Sequence, residues 1–149
     1  MSDMNKYNEG AYDSDAALRT KELLASDAPS VIRVVLAYLS TTAYETAKSK
    51  GWHDPGMEKT VGDDIALMHS ELSEALEDFR EGRGVREVYY QYKSGGIVVS
   101  VSALEAEEMK ERGDATAMKP CGIPIELADV LIRIFDFAGK HGIDLEGAV

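Results

Sequence analysis

The sequence predicts a mainly α-helical protein, an antiparallel bundle of three or four helices with a small β-hairpin insertion. Residues 64–81 and 123–140 repeat apolar side chains at intervals of three and four, the period of a helix with a buried face. Residues 97–101 alternate between two faces after a Gly-Gly pair, so the segment 88–101 is predicted to form a hairpin.

Composition limits the class of protein. At 149 residues, 44% of them apolar, a single globular domain spanning 1–149 is expected. With 16 basic against 27 acidic residues, the net charge of −11 argues against nucleic-acid or anionic-membrane partners. A single cysteine, no apolar run of membrane-spanning length and no signal peptide at the first residues together predict a cytoplasmic protein.

The first 27 residues are expected to form an N-terminal arm. Residues 1–13 are polar and are predicted to be irregular, and a short helix is predicted from Ser14 or Asp15 to Ala25. Such an arm either packs across a subunit partner or remains a mobile tail, and the sequence does not choose between these roles.

The first long helix is predicted over residues 31–50, with Ser30 as its N-cap and Gly51 as its stop signal. In the breaker-rich loop 51–56 that follows, Trp52 either closes the core, as a tryptophan beside a helix end usually does, or stacks on a nucleobase. The side of this helix expected to be buried comprises Val31, Val34, Val35, Tyr38, Leu39 and Ala43 or Ala47.

The helix predicted over residues 64–81 carries a stripe of acidic side chains along the edge of its apolar face. They are Glu71, Glu74 and Asp78, at helical spacings of three and four. A row of carboxylates beside a core is repulsive unless a cation neutralises it, and Mg²⁺ is a natural candidate because it prefers oxygen ligands. For this helix alone, the solvated face of an ordinary amphipathic helix is the more frequent explanation.

The last long helix is apolar around most of its circumference and is expected to be mostly buried. Its charged residues fall on one narrow stripe that faces either water or a polar cavity inside a bundle. Two helices therefore each offer a carboxylate pair at i and i+3, which is how helical bundles build metal sites. The stripe consists of Glu126, Asp129, Arg133, Asp136 and Lys140.

Two motifs carry a resemblance to a known family. Glu71-x-x-Glu74 lies within the string SELSEALE, and Glu126-x-x-Asp129 lies within GIPIELADVLIR. Short acidic motifs are common by chance, but in these strings, on two apolar helices, they resemble the metal motif of the MazG-like all-α nucleoside triphosphate pyrophosphohydrolases.

The resemblance covers roughly residues 30–82 and 119–149. Residues 85–118 lie outside it and are treated as a probable insertion, expected to lie outside the metal site. They include the hairpin and a short helix predicted by the capping box Ser102-x-x-Glu105.

The resemblance implies a Mg²⁺-dependent enzyme, with Mn²⁺ able to substitute. It would hydrolyse a nucleoside triphosphate (NTP or dNTP) at the α-β phosphate bond to a nucleoside monophosphate and pyrophosphate. Glu71 or Glu74 would accept the proton of the attacking water. The implied metal ligands are Glu71, Glu74, Glu126 and Asp129, with Asp78 as a weaker candidate.

Three further residues, Lys119, Arg133 and Trp52, are candidate contacts to the nucleotide substrate. A loop lysine, and an ion pair from Arg133 to Asp129, explain the first two equally well. A homodimer or homotetramer is also expected, because a small bundle with one helix apolar nearly all round needs partner surface to cover it. Relatives of this type also assemble through their helices.

Other functions remain as alternatives. A non-catalytic nucleotide or metal sensor would use the same carboxylate pocket, and the lack of the basic and amide residues expected after the last helix favours it. A di-iron bundle needs a Glu-x-x-His pair on each of two helices, which His69 and His141 do not provide. A structural adaptor is favoured only if the carboxylates face solvent and bind no metal. Base and sugar preference are not predicted.

Overall fold

A computed structural model describes residues 14–114 and 117–148, and these contain four helices and three short strands, so the mainly α-helical prediction is confirmed. None of the helices in this part of the chain is both long and apolar enough to cross a bilayer. The elements in chain order are α1 (Ser14–Ser49), α2 (Val61–Arg80), β1 (Tyr89–Ser94), β2 (Ile97–Ser102), α3 (Ala103–Glu111), β3 (Lys119–Cys121) and α4 (Ile123–His141).

The first helix is continuous over 36 residues, so the predicted break at Pro29 and Ser30 is wrong. A proline inside a helix removes one backbone donor and costs about 3 kcal/mol. The helix nevertheless continues through Pro29. The predicted irregular segment 1–13 lies outside the described residues.

The N-terminus of α2 is capped one turn earlier than predicted. Thr60, not Asp63 or Asp64, precedes the helix: its hydroxyl accepts from the amide of Asp63, and the Asp63 carboxylate accepts from the amide of Thr60. This reciprocal pair satisfies two backbone donors that would otherwise lack partners. The helix therefore includes Val61 and Gly62.

The sheet is antiparallel, with strand order β2-β1-β3. The predicted hairpin is confirmed, and its turn uses Gly95 and Gly96, both at positive φ (58° and 83°), where a side chain would be strained. The predicted capping box at Ser102 and Glu105 is also present. The third strand, β3, was not predicted from the sequence.

The described residues form two compact units, one containing residues 14–64 and 132–148 and the other containing residues 65–131. In the first unit, small residues bring α1 and α4 together: Ala47 and Ala138 are buried, and Gly139 lies directly against the backbone carbonyl of Ser40. A Cβ at position 139 would clash with that carbonyl. In the second unit, the sheet, α2, α3 and the start of α4 come together.

The apolar faces of the long helices are largely exposed in this single chain, although the sequence predicted that they would be buried. In this single chain the small residues Ala47, Ala75 and Ala138 are buried as predicted, but most of the larger apolar residues of the same helices are not. The exposed residues include Val31, Val34, Val35, Tyr38 and Leu39 on α1, Leu72, Leu76 and Phe79 on α2, and Leu127, Leu131 and Ile132 on α4.

Candidate metal centre

The inward face of α2 is acidic. Glu71, Ala75 and Asp78 are its buried residues, at spacings of four and three, so they lie on one side of the helix. Glu74 lies beside them and is exposed. The sequence predicted an acidic stripe at the edge of the core; the structure instead buries two of its three carboxylates.

The first turn of α4 supplies the remaining carboxylate of the cluster. The amide of Glu126 donates to the carbonyl of Gly122 (3.1 Å), which fixes the start of the helix. Gly122 has φ of 120°, and it packs against the backbone carbonyl of Glu87 so closely that no Cβ would fit. Because Gly122 lets the backbone pass close to Glu87, just before β1, it determines the position of Glu126.

Three glutamates from these two helices converge. One carboxylate oxygen each from Glu71, Glu74 and Glu126 lies within 4.8 Å of the other two. Glu71 is 6% exposed and Glu126 only 3%. Negative charges this close together, two of them removed from water, resist ionising together.

Glu126 shows the effect of this crowding. Burial, followed by the charge of Glu74, raises the pKa of Glu126 from 4.5 to about 7, and Lys119 opposes the shift. A hydrogen bond with Glu71 also raises this pKa, because two carboxyl groups can form it only around a shared proton. The second oxygen of Glu126, Oε2, is buried without a hydrogen-bond partner. Such an oxygen is costly unless a proton or a cation satisfies it.

The cluster opens into a cavity of about 200 Å³ within residues 65–131. One wall is acidic, and the opposite wall is formed by the sheet. The acidic wall consists of Glu74, Glu77, Asp78, Glu81 and Glu126; the sheet contributes Tyr89, Gln91, Lys119 and Cys121.

Asp78 and Asp129 differ in their placement. Asp78 is buried and lines the cavity, where its Oδ1 accepts a hydrogen bond from the hydroxyl of Tyr89 (2.9 Å). Asp129 is half-buried on α4, and both aspartates lie outside the group of three converging glutamates. A role as a metal ligand therefore stays a prediction for Asp78 and for Asp129.

The three predicted substrate contacts fall in different places. Lys119 lines the carboxylate cavity. Arg133 is half-buried on α4, in the other compact unit. Trp52 also belongs to that unit, where it borders a separate cavity of about 300 Å³ together with Tyr44, His53, Met57, Glu58, Lys59, Asp64 and Lys140.

Two basic residues of this second cavity pair with aspartates. His53 Nε2 lies 2.7 Å from Asp136 Oδ1, and Lys140 Nζ lies 2.9 Å from Asp64 Oδ2. Asp136, one of the charged residues of the α4 stripe, is thus engaged by a histidine.

Tyr89 and Gln91 are site residues that the sequence analysis missed. Both belong to the segment 85–118, which was expected to lie apart from the carboxylates, and at these two positions that expectation is wrong. Their shared face could be read from the spacing of two along a strand. Their pairing with β3 is a long-range contact that a single sequence does not reveal.

The donors in the cavity favour a hard cation. Carboxylate oxygens are the ligands that Mg²⁺, Mn²⁺ and Ca²⁺ prefer. The thiol of Cys121 is buried, and burial raises its pKa, which keeps it protonated and makes it a poor ligand for softer metals.

Comparisons with protein-family models, with curated proteins and with solved structures found no match to this chain.

Proposed function

We propose that this chain is a divalent-metal-dependent nucleoside triphosphate pyrophosphohydrolase of the MazG-like all-α type. It would cleave the α-β phosphate bond of an NTP or dNTP and release a nucleoside monophosphate and pyrophosphate. The observation that supports this most strongly is the convergence of Glu71 and Glu74 with Glu126, which leaves one buried oxygen of Glu126 without a partner. A bound cation would relieve the repulsion among these carboxylates.

The three glutamates would hold Mg²⁺, or Mn²⁺ in its place, with Asp129 kept as a further candidate ligand from the resemblance. The unsatisfied oxygen of Glu126 fits this role because it is an anionic donor already removed from water. A divalent cation bound here supplies charge that offsets the phosphate oxygens and lowers the pKa of a water molecule in the site.

The protein's own side chains would accept the proton of the attacking water and offset the charge of the phosphate groups. Water attacks the α-phosphorus, a new P–O bond forms, and the bond to the α-β bridging oxygen breaks, so that pyrophosphate leaves with the electron pair. Glu74 or Glu71 accepts the proton of the water; the greater exposure of Glu74 suits it to this role. Lys119, on the opposite wall, offsets negative charge on the phosphate groups.

A homodimer or homotetramer is part of the proposal. Leu72, Leu76 and Phe79 form an exposed apolar face on α2, with a spacing that places them on one side of the helix. Apolar faces of this kind mark interaction surfaces, and closed symmetric assembly is the common way to cover them. Light scattering at micromolar concentration should give at least twice the mass of 16.3 kDa. A strictly monomeric mass would contradict this part of the proposal.

A non-catalytic nucleotide or metal sensor is the second candidate. One observation favours it: the three converging glutamates do not include Asp129, so the four-carboxylate set implied by the resemblance is not assembled. A sensor would bind Mg²⁺ and nucleotide without releasing pyrophosphate, which an activity assay distinguishes directly.

The test is a panel of canonical and modified nucleoside triphosphates with Mg²⁺, scored for pyrophosphate. The wild type should release pyrophosphate from at least one of them, and Glu74→Gln should not. Glu108→Gln is the matched control, because it makes the same chemical change on an exposed residue of α3 in the same unit and should keep activity. Equal activity of Glu74→Gln and the wild type, or no pyrophosphate from any substrate with the wild type, would overturn the enzyme proposal.

A further inference from the structure

One face of the three-stranded sheet is built into the carboxylate cavity. Tyr89 and Gln91 are two residues apart on β1, and Lys119 and Cys121 are two apart on β3. The strand register pairs Tyr89 with Cys121 and Gln91 with Lys119, so the four side chains share one face of the sheet. All four line the cavity. The sheet is therefore a wall of the site and not only a decoration of the helices.

Tyr89 makes a specific contact across this cavity. Its hydroxyl donates to Asp78 Oδ1 at 2.9 Å, and the two residues are only 6% and 7% exposed. The guanidinium of Arg83 stacks on the Tyr89 ring, 4.0 Å from its centroid, and is paired with Glu87 at 2.9 Å. A hydroxyl is a neutral donor, so the bond fixes the direction of the Asp78 carboxylate without removing its charge.

We propose that Asp78 is a further carboxylate of the metal centre and that Tyr89 is the positioning residue that aims it. This rests on the proposed function, since it adds to the same site. Asp78 stands one helical turn beyond Glu74 and lines the same cavity as Glu126, although it lies outside the group of three converging glutamates. The buried, unpartnered Oε2 of Glu126 is an independent sign that this cavity is built for a cation.

The chemistry of metal sites explains why a tyrosine would be placed there. A carboxylate that binds a metal is usually held by a hydrogen bond from a neighbouring group, which fixes its orientation and keeps the second oxygen for the ion. The hydroxyl of Tyr89 holds Oδ1 of Asp78 in this way, and the proposal assigns the other oxygen, Oδ2, to the cation. The sheet segment outside the family resemblance thus supplies the group that completes the acidic set.

The test measures Mn²⁺ affinity of the whole protein by electron paramagnetic resonance, without nucleotide. Tyr89→Phe keeps the ring and its stacking with Arg83 but loses the hydroxyl, and it should weaken Mn²⁺ binding about 10–100-fold. Asp78→Asn should weaken it at least as much, and the double variant should add little to Asp78→Asn because the two residues act together. Tyr92→Phe, on the opposite face of the same strand, is the control and should bind like the wild type.

The outcomes separate this inference from the proposed function. If the wild type binds Mn²⁺ and Glu126→Gln does not, the metal site stands. In that case, unchanged affinity in Tyr89→Phe or in Asp78→Asn overturns the inference, even if the metal-free melting temperature falls, because a merely structural hydroxyl would affect folding alone. If the wild type binds no Mn²⁺, or Glu126→Gln binds it equally well, the metal site itself fails and the inference fails with it.

Discussion

Acidic residues are handled in opposite ways in the two compact units. In the unit formed by residues 14–64 and 132–148, Asp64 pairs with Lys140 at 2.9 Å and Asp136 pairs with His53 at 2.7 Å. In the unit formed by residues 65–131, Glu126 meets two other glutamates, and one of its oxygens has no partner. In the first arrangement each carboxylate lies beside a basic side chain, whereas in the second the carboxylates face one another, with Lys119 as a basic residue that lines the same cavity. This difference is what makes the second cluster the candidate place for a cation in the proposed function.

The largest expected effect appears when the removal of a converging carboxylate, Glu126, is compared with the removal of a paired one, Asp136. Glu126→Gln should reduce pyrophosphate release by roughly 10³-fold, because it deletes a metal ligand whose charge stabilisation is worth several kcal/mol. Asp136→Asn should leave the rate within a few-fold of the wild type. It should instead destabilise the fold by roughly 1.5–3 kcal/mol, since His53 loses a charged hydrogen-bond partner. Steady-state kinetics and chemical denaturation of both variants measure these effects.

If both variants lost activity to the same extent, or if Glu126→Gln remained active, the contrast between paired and converging acids would have no functional meaning.

The next effect is a dependence of stability on pH. The pKa of Glu126 is about 7 in the folded protein, against 4.5 ordinarily. Between these values the folded state holds a proton that the unfolded chain has released, so the free energy of unfolding falls as pH rises from about 4.5 to about 7. In metal-free protein, Glu126→Gln should remove this decline, and a difference curve between the two proteins isolates it from other titrating groups.

Metal binding should also depend on the titration of Glu126. Protons compete with the cation for Glu126, so the stabilisation by Mg²⁺ should be smaller at pH 5.5 than at pH 8. Parallel stability curves for the wild type and Glu126→Gln across this range would contradict the raised pKa.

The smallest effects distinguish two lysines. Lys140→Met leaves Asp64 without its partner in a site where that carboxylate is only 15% exposed, and should cost roughly 1–3 kcal/mol of stability. Lys119→Met removes an exposed side chain and should barely change stability. It should lower the rate of pyrophosphate release roughly tenfold if Lys119 contacts phosphate. Thermal melting and kinetics compare the two; a stability loss larger for Lys119→Met would reverse the assignment.

Much of the fold could be predicted from local patterns. The extents of α2 and α4, the Gly95-Gly96 hairpin and the capping box at Ser102 depend on residues near each other in sequence. Burial could not be predicted in the same way. Leu72 and Leu76 form as regular an apolar stripe as any core face, yet they are exposed here, while Glu71 on the adjacent stripe is buried. Hydrophobic periodicity does not show which face of a helix packs against another element of the fold.

The site was predicted only in part for a similar reason. Glu71, Glu74 and Glu126 could be chosen because they belong to i, i+3 pairs on two helices, within strings that resemble a known metal motif. The contribution of Tyr89 could not, because it depends on the pairing of β1 with β3 across about thirty residues of chain. The role of Asp129 remains a prediction from the resemblance.

The most direct measurement is the melting temperature with and without Mg²⁺ for the wild type and for Glu126→Gln. At 100 times the dissociation constant, Mg²⁺ should stabilise the wild type by about 2.7 kcal/mol, a rise of roughly 5–10 °C for a chain of this size. Glu126→Gln should melt at or above the wild-type temperature without metal, because repulsion is relieved, and should not respond to Mg²⁺. If both proteins melt alike without metal and shift equally with it, the three glutamates are not a shared metal site.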